Sequence, residues 1–217
     1  LMEEQRRTRE TLEQLGRGSS SGGGVSGSAW EPLHGGGVTD WSAESPPSTD
    51  GGARRYAPPT ASATISACGG FAHAAVVFGT LSDPPSQEFA RQLEDAAALA
   101  WRWLETNPGK VPSRYNNAGF VSAPCEDDSY WQQINRVRAA MWLFARTGIA
   151  DYRDWFDANY RAAHLFAWTW ASPWEQDLNE GLLGYTRLPG ATPSVVTEIQ
   201  QYYANSVSGG SHLGQIQ

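Results

Sequence analysis

The sequence predicts an all-α fold of packed helical hairpins, on three observations. From residue 60 onward, apolar residues recur at i, i+3 and i+4. The apolar/polar alternation of a half-buried strand is missing. Clusters of Gly, Pro and Asn separate the periodic stretches, the connection pattern of bundles and α/α toroids in which antiparallel helices pack side by side. A chain of 217 residues, 40% hydrophobic and 18% charged, can bury a substantial core, and its length suggests one domain or part of a larger one.

In chain order, residues 1–15 set Leu1, Thr8, Leu12 and Leu15 on one helical stripe that stops at Gly16. No capping residue precedes Leu1, so the helix reads as beginning partway through. Residues 17–59 carry Ser19-Ser20-Ser21-Gly22-Gly23-Gly24, Gly35-Gly36-Gly37, Pro46-Pro47, Gly51-Gly52 and Pro58-Pro59, a density of breakers that forbids a long regular element. Loops this long inside a domain are usually functional or disordered. Trp30, His34, Trp41 and Tyr56 give this one side chains with which to pack or bind.

A helix is predicted over residues 60–78, ending near Gly79 and weakened by Gly69-Gly70. Phe89, Leu93, Ala96, Ala97, Ala100, Trp101 and Leu104 make residues 86–105 an amphipathic helix, stopped by Asn107-Pro108-Gly109. A breaker-rich loop, 108–124, leads to a helix over 127–147 with Tyr130, Ile134, Val137, Met141 and Phe144 on its apolar face and Gly148 at its end. Further helices fit 151–170 with a break near Asp157, then 173–185, then 192–207.

Sixteen basic against 23 acidic residues give a net charge of -7, and no Lys/Arg cluster offers a polyanion footprint, so nucleic acid is excluded as an expected partner. No run is expected to reach membrane-spanning length, and Leu1-Met2-Glu3-Glu4-Gln5-Arg6-Arg7 is too polar for a secretory signal. Cys68 and Cys125 sit in no metal-ligand or redox spacing and read as two separate thiols, with a disulfide left open.

Of ten tryptophans, eight lie between residues 101 and 174, a local concentration suited to core packing, to stacking on sugar rings, or to both. At about 100° per residue, Trp131, Arg138 and Trp142 fall within ~40° of one another, with Asn135, Asp127 and Asp128 flanking them. An aromatic ring next to carboxylates and an Arg is what a carbohydrate subsite needs: the ring meets the C–H face of the sugar and the charged groups bond its hydroxyls. Asp127 and Asp128 also complement the helix dipole, and that structural role is the first reading of both. Trp168, Trp170, Trp174 and Glu175 gather around Pro173 at a helix junction, the rim of a toroid's pocket. His73 and His164 stand alone on apolar helical segments and read as core histidines rather than metal ligands. No Ser-His-Asp order, Gly-rich loop after a strand or H-E-x-x-H is present, so nucleophilic, phosphate and zinc chemistries have no support.

These residues resemble a family. Pro59-Thr60-Ala61-Ser62-Ala63-Thr64 is similar to the Pro-x-Ser-Thr-Ala-Ala-Thr segment of glycoside hydrolase family 9. Phe89 through Ala96-Ala97-Ala98 to Trp101-Arg102-Trp103 and Asn107-Pro108 resembles its following helix. Ala139-Ala140-Met141-Trp142-Leu143-Phe144-Ala145-Arg146-Thr147-Gly148 resembles its Ala-Ala-x-x-Leu-Tyr-x-x-Thr-Gly signature. The downstream Phe156-Asp157-Ala158-Asn159-Tyr160 and Ser172-Pro173-Trp174-Glu175 are similar to segments of bacterial members.

The resemblance implies part of an (α/α)6 barrel and a cellulase-like enzyme, secreted or periplasmic, acting on β-1,4-glucans such as cellulosic oligosaccharides. Its inverting scheme sets two carboxylates ~6.5–9.5 Å apart to admit water. Substrate contacts are then expected from Tyr130, Trp131, Arg138, Trp142 and Trp174. The family's acidic pair, which helps hold calcium in several members, corresponds to Asp127 and Asp128 as possible oxygen ligands; no other cofactor is implied. Two departures stand out. Asp127-Asp128 and Trp131 come earlier than the pattern places them, with Arg138 in the expected Trp position. The Asp-Ala-Gly-Asp that carries the base is absent, since Thr39-Asp40-Trp41 and Thr49-Asp50-Gly51 do not match it, and Asn179-Glu180 falls too early for the terminal acid. The expectation is therefore a partial catalytic domain, cut at both ends, whose catalytic pair lies outside. The alternatives are a non-catalytic carbohydrate-binding or structural module, and a lyase or epimerase of α/α-toroid type, which needs a Tyr–His pair converging in the pocket.

Overall fold

Breaker residues and apolar periodicity divide the chain as expected into helices and connections. The computed structural model describes residues 59–109, 112–114 and 126–208, and the backbone of residues 32–33 and 55–56. The predicted helix over residues 1–15, Cys125, Trp30, His34, Trp41 and most of the loop over 108–124 lie outside the described residues.

The elements are β1 (Pro32–Leu33), β2 (Arg55–Tyr56), α1 (Ala61–Gly79), α2 (Pro84–Thr106), α3 (Ser129–Thr147), α4 (Ala150–Asn159), a 3-10 turn (Tyr160–Ala162), α5 (His164–Trp168), α6 (Gln176–Tyr185) and α7 (Pro193–Ser208). They group into two compact units. The first comprises Leu1–Thr64 and Trp103–Asp128, the second Ile65–Arg102 and Ser129–Gln217.

In the first unit, β1 and β2 form a minimal antiparallel ladder, Pro32 opposite Tyr56 and Leu33 opposite Arg55. This pairing arises inside a segment expected to hold no long regular element, and two residues per strand is all it supports. Thr60 starts α1: its Oγ1 accepts the Ala63 N–H at 3.1 Å, satisfying a first-turn donor, and donates to Glu126 at 2.6 Å. The backbone N–H groups of Ala61 and Ser62 donate to the carbonyls of Pro112 and Ser113.

The core of the second unit is built on α3, whose Ile134, Val137, Met141 and Phe144 are buried as the periodicity predicts, while Tyr130 is half-buried. It packs chiefly on α4 and α6. The docking with α6 is close because Gly181 and Gly184 face it: a Cβ at Gly181 would stand 3.2 Å from Arg138 Cγ, and one at Gly184 3.4 Å from Met141 Cε. Phe156 and Tyr185 stack at 4.0 Å, both fully buried.

Several boundaries differ from expectation for visible reasons. α2 starts two residues early because Pro84 and Pro85 suit a first turn, whose Ser86 N–H is taken by Asp83 Oδ1 at 3.0 Å. α3 starts at Ser129, leaving Asp127 and Asp128 in the approach to its first turn. The break expected near Asp157 falls at Tyr160 instead. Asp157 is held in the helix by the Tyr185 and Thr192 hydroxyls, and the chain turns only at the buried Tyr160, whose hydroxyl donates to Glu198 at 2.7 Å. Gly148 ends α3 with φ +69.

The expectation that no run reaches membrane-spanning length is corrected by α1. Its 19 residues have a hydropathy of 1.4, long and apolar enough by that measure. About 39% of that apolar window is buried, Cys68, Ala72 and Ala75 fully so, while Val77 is exposed and Phe71, Val76 and Phe78 are half-buried.

Candidate functional site

The second unit carries a surface cleft of about 460 Å³ between one face of α3 and the turn that opens α6. Trp131, Ile134, Asn135 and Arg138 supply the α3 wall, at the i, i+3, i+4, i+7 spacing of a single helical face. Pro173, Trp174, Glu175, Gln176, Asp177 and Leu178 supply the other. A smaller cavity of about 160 Å³ shares Asn135 and Arg138 with it and is otherwise lined by α1 residues, including His73.

Three of the sequence-predicted contacts, Trp131, Arg138 and Trp174, meet in this cleft, and two do not line it. The Trp174 ring is 85% exposed and Trp131 36%. An indole so exposed on an ordered turn contributes little to folding, because its apolar area stays in water. Trp142 instead stacks on His73, ring centroids 4.0 Å apart, and its indole N–H is buried with no acceptor among the described residues. Tyr130 lies beside the cleft as part of its support.

That support is a stack of three rings. His164 lies between Tyr130, 3.7 Å away, and Trp168, 3.5 Å away. Tyr130 Oη accepts the His164 backbone N–H at 3.1 Å and donates to Glu175 Oε1 at 2.7 Å. His164 Nδ1 meets the same oxygen at 2.6 Å. Glu175 is only 5% exposed. Burial, and then the negative charge of Glu175, holds the Tyr203 hydroxyl above its ordinary pKa; that hydroxyl donates to Asn179 Oδ1 at 2.7 Å. His164 is thus a half-buried histidine whose Nδ1 is satisfied by a carboxylate, while His73 lines the smaller cavity.

The turn bearing Trp174 is fixed by its backbone. Trp174 N–H donates to Ser172 Oγ, Glu175 N–H to Ser172 O, and Asn179 Nδ2 to Ser172 O at 2.8 Å. Across the cleft, Arg138 Nη1 donates to Asn135 Oδ1 at 3.1 Å and Nη2 pairs with Asp177 at 3.2 Å. Asp177 is 73% exposed, so this pair orients the guanidinium more than it stabilises the fold.

A Tyr–His pair of the kind an epimerase or lyase needs is present in Tyr130 and His164. The Tyr130 hydroxyl is committed to Glu175 and the His164 amide, and neither ring lines the cleft. Asp127 and Asp128 lie in the other unit, Asp127 half-buried and Asp128 exposed. Two carboxylates supply part of the 6–8 oxygen shell calcium takes, and among the described residues no group of three or more His, Cys, Asp or Glu converges. Glu180 is exposed on α6, outside the cleft lining.

Sequence reasoning missed Asp177 and Gln176 as cleft residues and the bond between His164 and Glu175. Eleven residues separate those two, which on one continuous helix would set them about 16 Å apart along its axis, so the turn at Pro173 brings them together.

A predominantly helical scaffold with an aromatic-lined cleft at a helix junction defines the class, an α/α protein. The family model for glycosyl hydrolase family 9 matches residues 22–212, and the chain belongs to that family. It is similar to the crystal structure of a single mutant of a thermostable endoglucanase from Alicyclobacillus acidocaldarius, at 19% identity and TM-score 0.57, over 73% of this chain and 28% of that one. The likeness shows the fold, all-α and part of an (α/α)6 barrel. The chain spans less than a third of the endoglucanase's length. No curated protein sequence matches it.

Proposed function

We propose that the chain supplies helices and substrate cleft to a secreted or periplasmic glycoside hydrolase that cleaves β-1,4-glucans by the inverting two-carboxylate scheme, with the catalytic pair outside these 217 residues. The observation that carries this reading is the Trp174 ring, 85% exposed on a turn held by three hydrogen bonds, opposite Trp131 and beside Glu175, Arg138 and Asp177. Large rings flanked by fixed hydrogen-bonding groups suit a pyranose, whose C–H face stacks while its hydroxyls bond at the rim. Family membership supports the reaction class. Asp127 and Asp128 are retained as proposed calcium ligands, to be completed by groups beyond the described residues.

The test is calorimetric titration of the full chain with cellotetraose, alongside a reducing-sugar assay on the same preparation. Binding without turnover is expected, with W174A weakening binding about tenfold or more while leaving the far-ultraviolet spectrum unchanged. Unchanged affinity in W174A would overturn the cleft assignment. Turnover by the unaltered chain would overturn the placement of the catalytic pair outside it.

A further inference from the structure

Glu175 has two oxygens in different situations. Oε1 takes both nearby donors, the Tyr130 hydroxyl at 2.7 Å and His164 Nδ1 at 2.6 Å. In the tautomer that suits this contact, Nδ1 of His164 donates to the carboxylate. Oε2 accepts nothing among the described residues and is not sealed from solvent, although the residue is 5% exposed and lines the cleft beside Trp174. An acceptor with so little water around it forms a stronger bond with whatever donor reaches it.

The donors on Oε1 are themselves immobilised. The His164 ring is clamped between Tyr130 and Trp168, tilted from them by 14° and 13°, and its backbone N–H is fixed on Tyr130 Oη. The carboxylate plane is thereby set from behind, as a preorganised binding group requires. The charged groups that face this cluster among the described residues favour a neutral ligand: the cleft lining holds two carboxylates, Glu175 and Asp177, against one guanidinium, Arg138, already paired with Asp177.

We propose that Glu175 is a specificity-determining residue, its Oε2 accepting a hydroxyl hydrogen from the sugar ring stacked on Trp174 and selecting neutral glycans over uronate-bearing ones. Tyr130 and His164 are positioning residues that hold Oε1 so that Oε2 meets the ligand. This deepens the reading of the cleft as a glycan site and rests on it.

The experiment titrates the full chain and its variants with cellotetraose and with a glucuronic-acid oligomer of the same length. E175Q is expected to bind cellotetraose about 10- to 100-fold more weakly, the worth of a hydrogen bond to a charged acceptor. It should also narrow the preference for the neutral oligomer. H164F keeps the stacked ring but removes the Nδ1 donor and should weaken binding about tenfold, whereas H164N returns an N–H near the same place and should restore most of it. A merely structural role for the ring would instead leave H164F near normal and H164N no better. Should E175Q fail to fold, the His164 pair and the uronate comparison on the unaltered chain decide the matter. Binding lost in W174A but within twofold of normal in both E175Q and H164F overturns the assignment to Glu175 alone. Equal binding of the two oligomers overturns the selectivity. Failure of the unaltered chain to bind cellotetraose overturns the cleft reading and this assignment with it.

Discussion

Tyr185 ties three elements together with one oxygen, and its removal tests the core of the second unit without creating a cavity. The hydroxyl donates to Asp157 Oδ1 on α4 at 2.5 Å and accepts the Thr192 N–H ahead of α7 at 3.1 Å, while the ring stacks on Phe156. Y185F leaves the ring and strips both bonds. A hydrogen bond to a charged acceptor is worth about 1.5–3 kcal/mol and a neutral one about 0.5–1.5. Asp157 keeps the Thr192 hydroxyl, so the lower half of the sum applies, about 2–3 kcal/mol. In urea, followed by circular dichroism at 222 nm, the midpoint should fall by about 1 M with an unchanged slope.

Alkaline pH offers a second reading of the same group. Burial, followed by the bond to Asp157, pushes the Tyr185 hydroxyl up to about 12, above the value near 10 of an unfolded tyrosine. The folded state therefore holds its proton more tightly. That contribution is whole below pH ~10 and is lost as pH rises through 12, in total about 2–3 kcal/mol at ~1.4 per unit. Tyr160 and Tyr203 are also raised and persist in the variant, so the alkaline limb should become shallower by about one proton rather than vanish. A cost below about 0.5 kcal/mol, within the range of surface substitutions, or an unaltered alkaline slope would refute the reasoning.

Two further outcomes follow from local geometry. G148A should lower stability by about 1–2 kcal/mol in the same urea assay: φ is +69 and a Cβ there meets nothing within 4 Å, so the cost is backbone strain alone. Cys68, whose thiol is fully buried, donates to Ala97 O at 3.3 Å and is pushed up to about 12 chiefly by burial, should resist iodoacetamide at pH 8 until the chain is unfolded, as peptide mass mapping would show. Labelling of Cys68 in the native chain at the rate of a free thiol would contradict this.

What the sequence disclosed was local, and what it withheld depended on turns. The α3 wall was legible because Trp131, Asn135 and Arg138 share one face whatever surrounds the helix. Trp142 belongs to the same angular sector, yet the next turn up carries it under α1 onto His73 and away from the cleft. Trp174 was marked by its place beside Pro173, but its exposure depends on how Ser172 and Asn179 hold the turn. The half-buried His164 looked like a core residue because its partner lies across a reversal of the chain. α1 shows the limit of composition: it has the hydropathy of a membrane span, yet only about 39% of that apolar window is buried.

The glycines of α6 have a consequence for how such a cleft can change. Gly181 and Gly184 are not among its lining residues, yet they set how near the helix carrying Asp177 and Leu178 comes to the helix carrying Trp131 and Arg138. One methyl at position 181 would stand 3.2 Å from Arg138 Cγ, so that cleft-lining side chain would have to give by a few tenths of an ångström. The width of the cleft is therefore set in part by residues outside its lining.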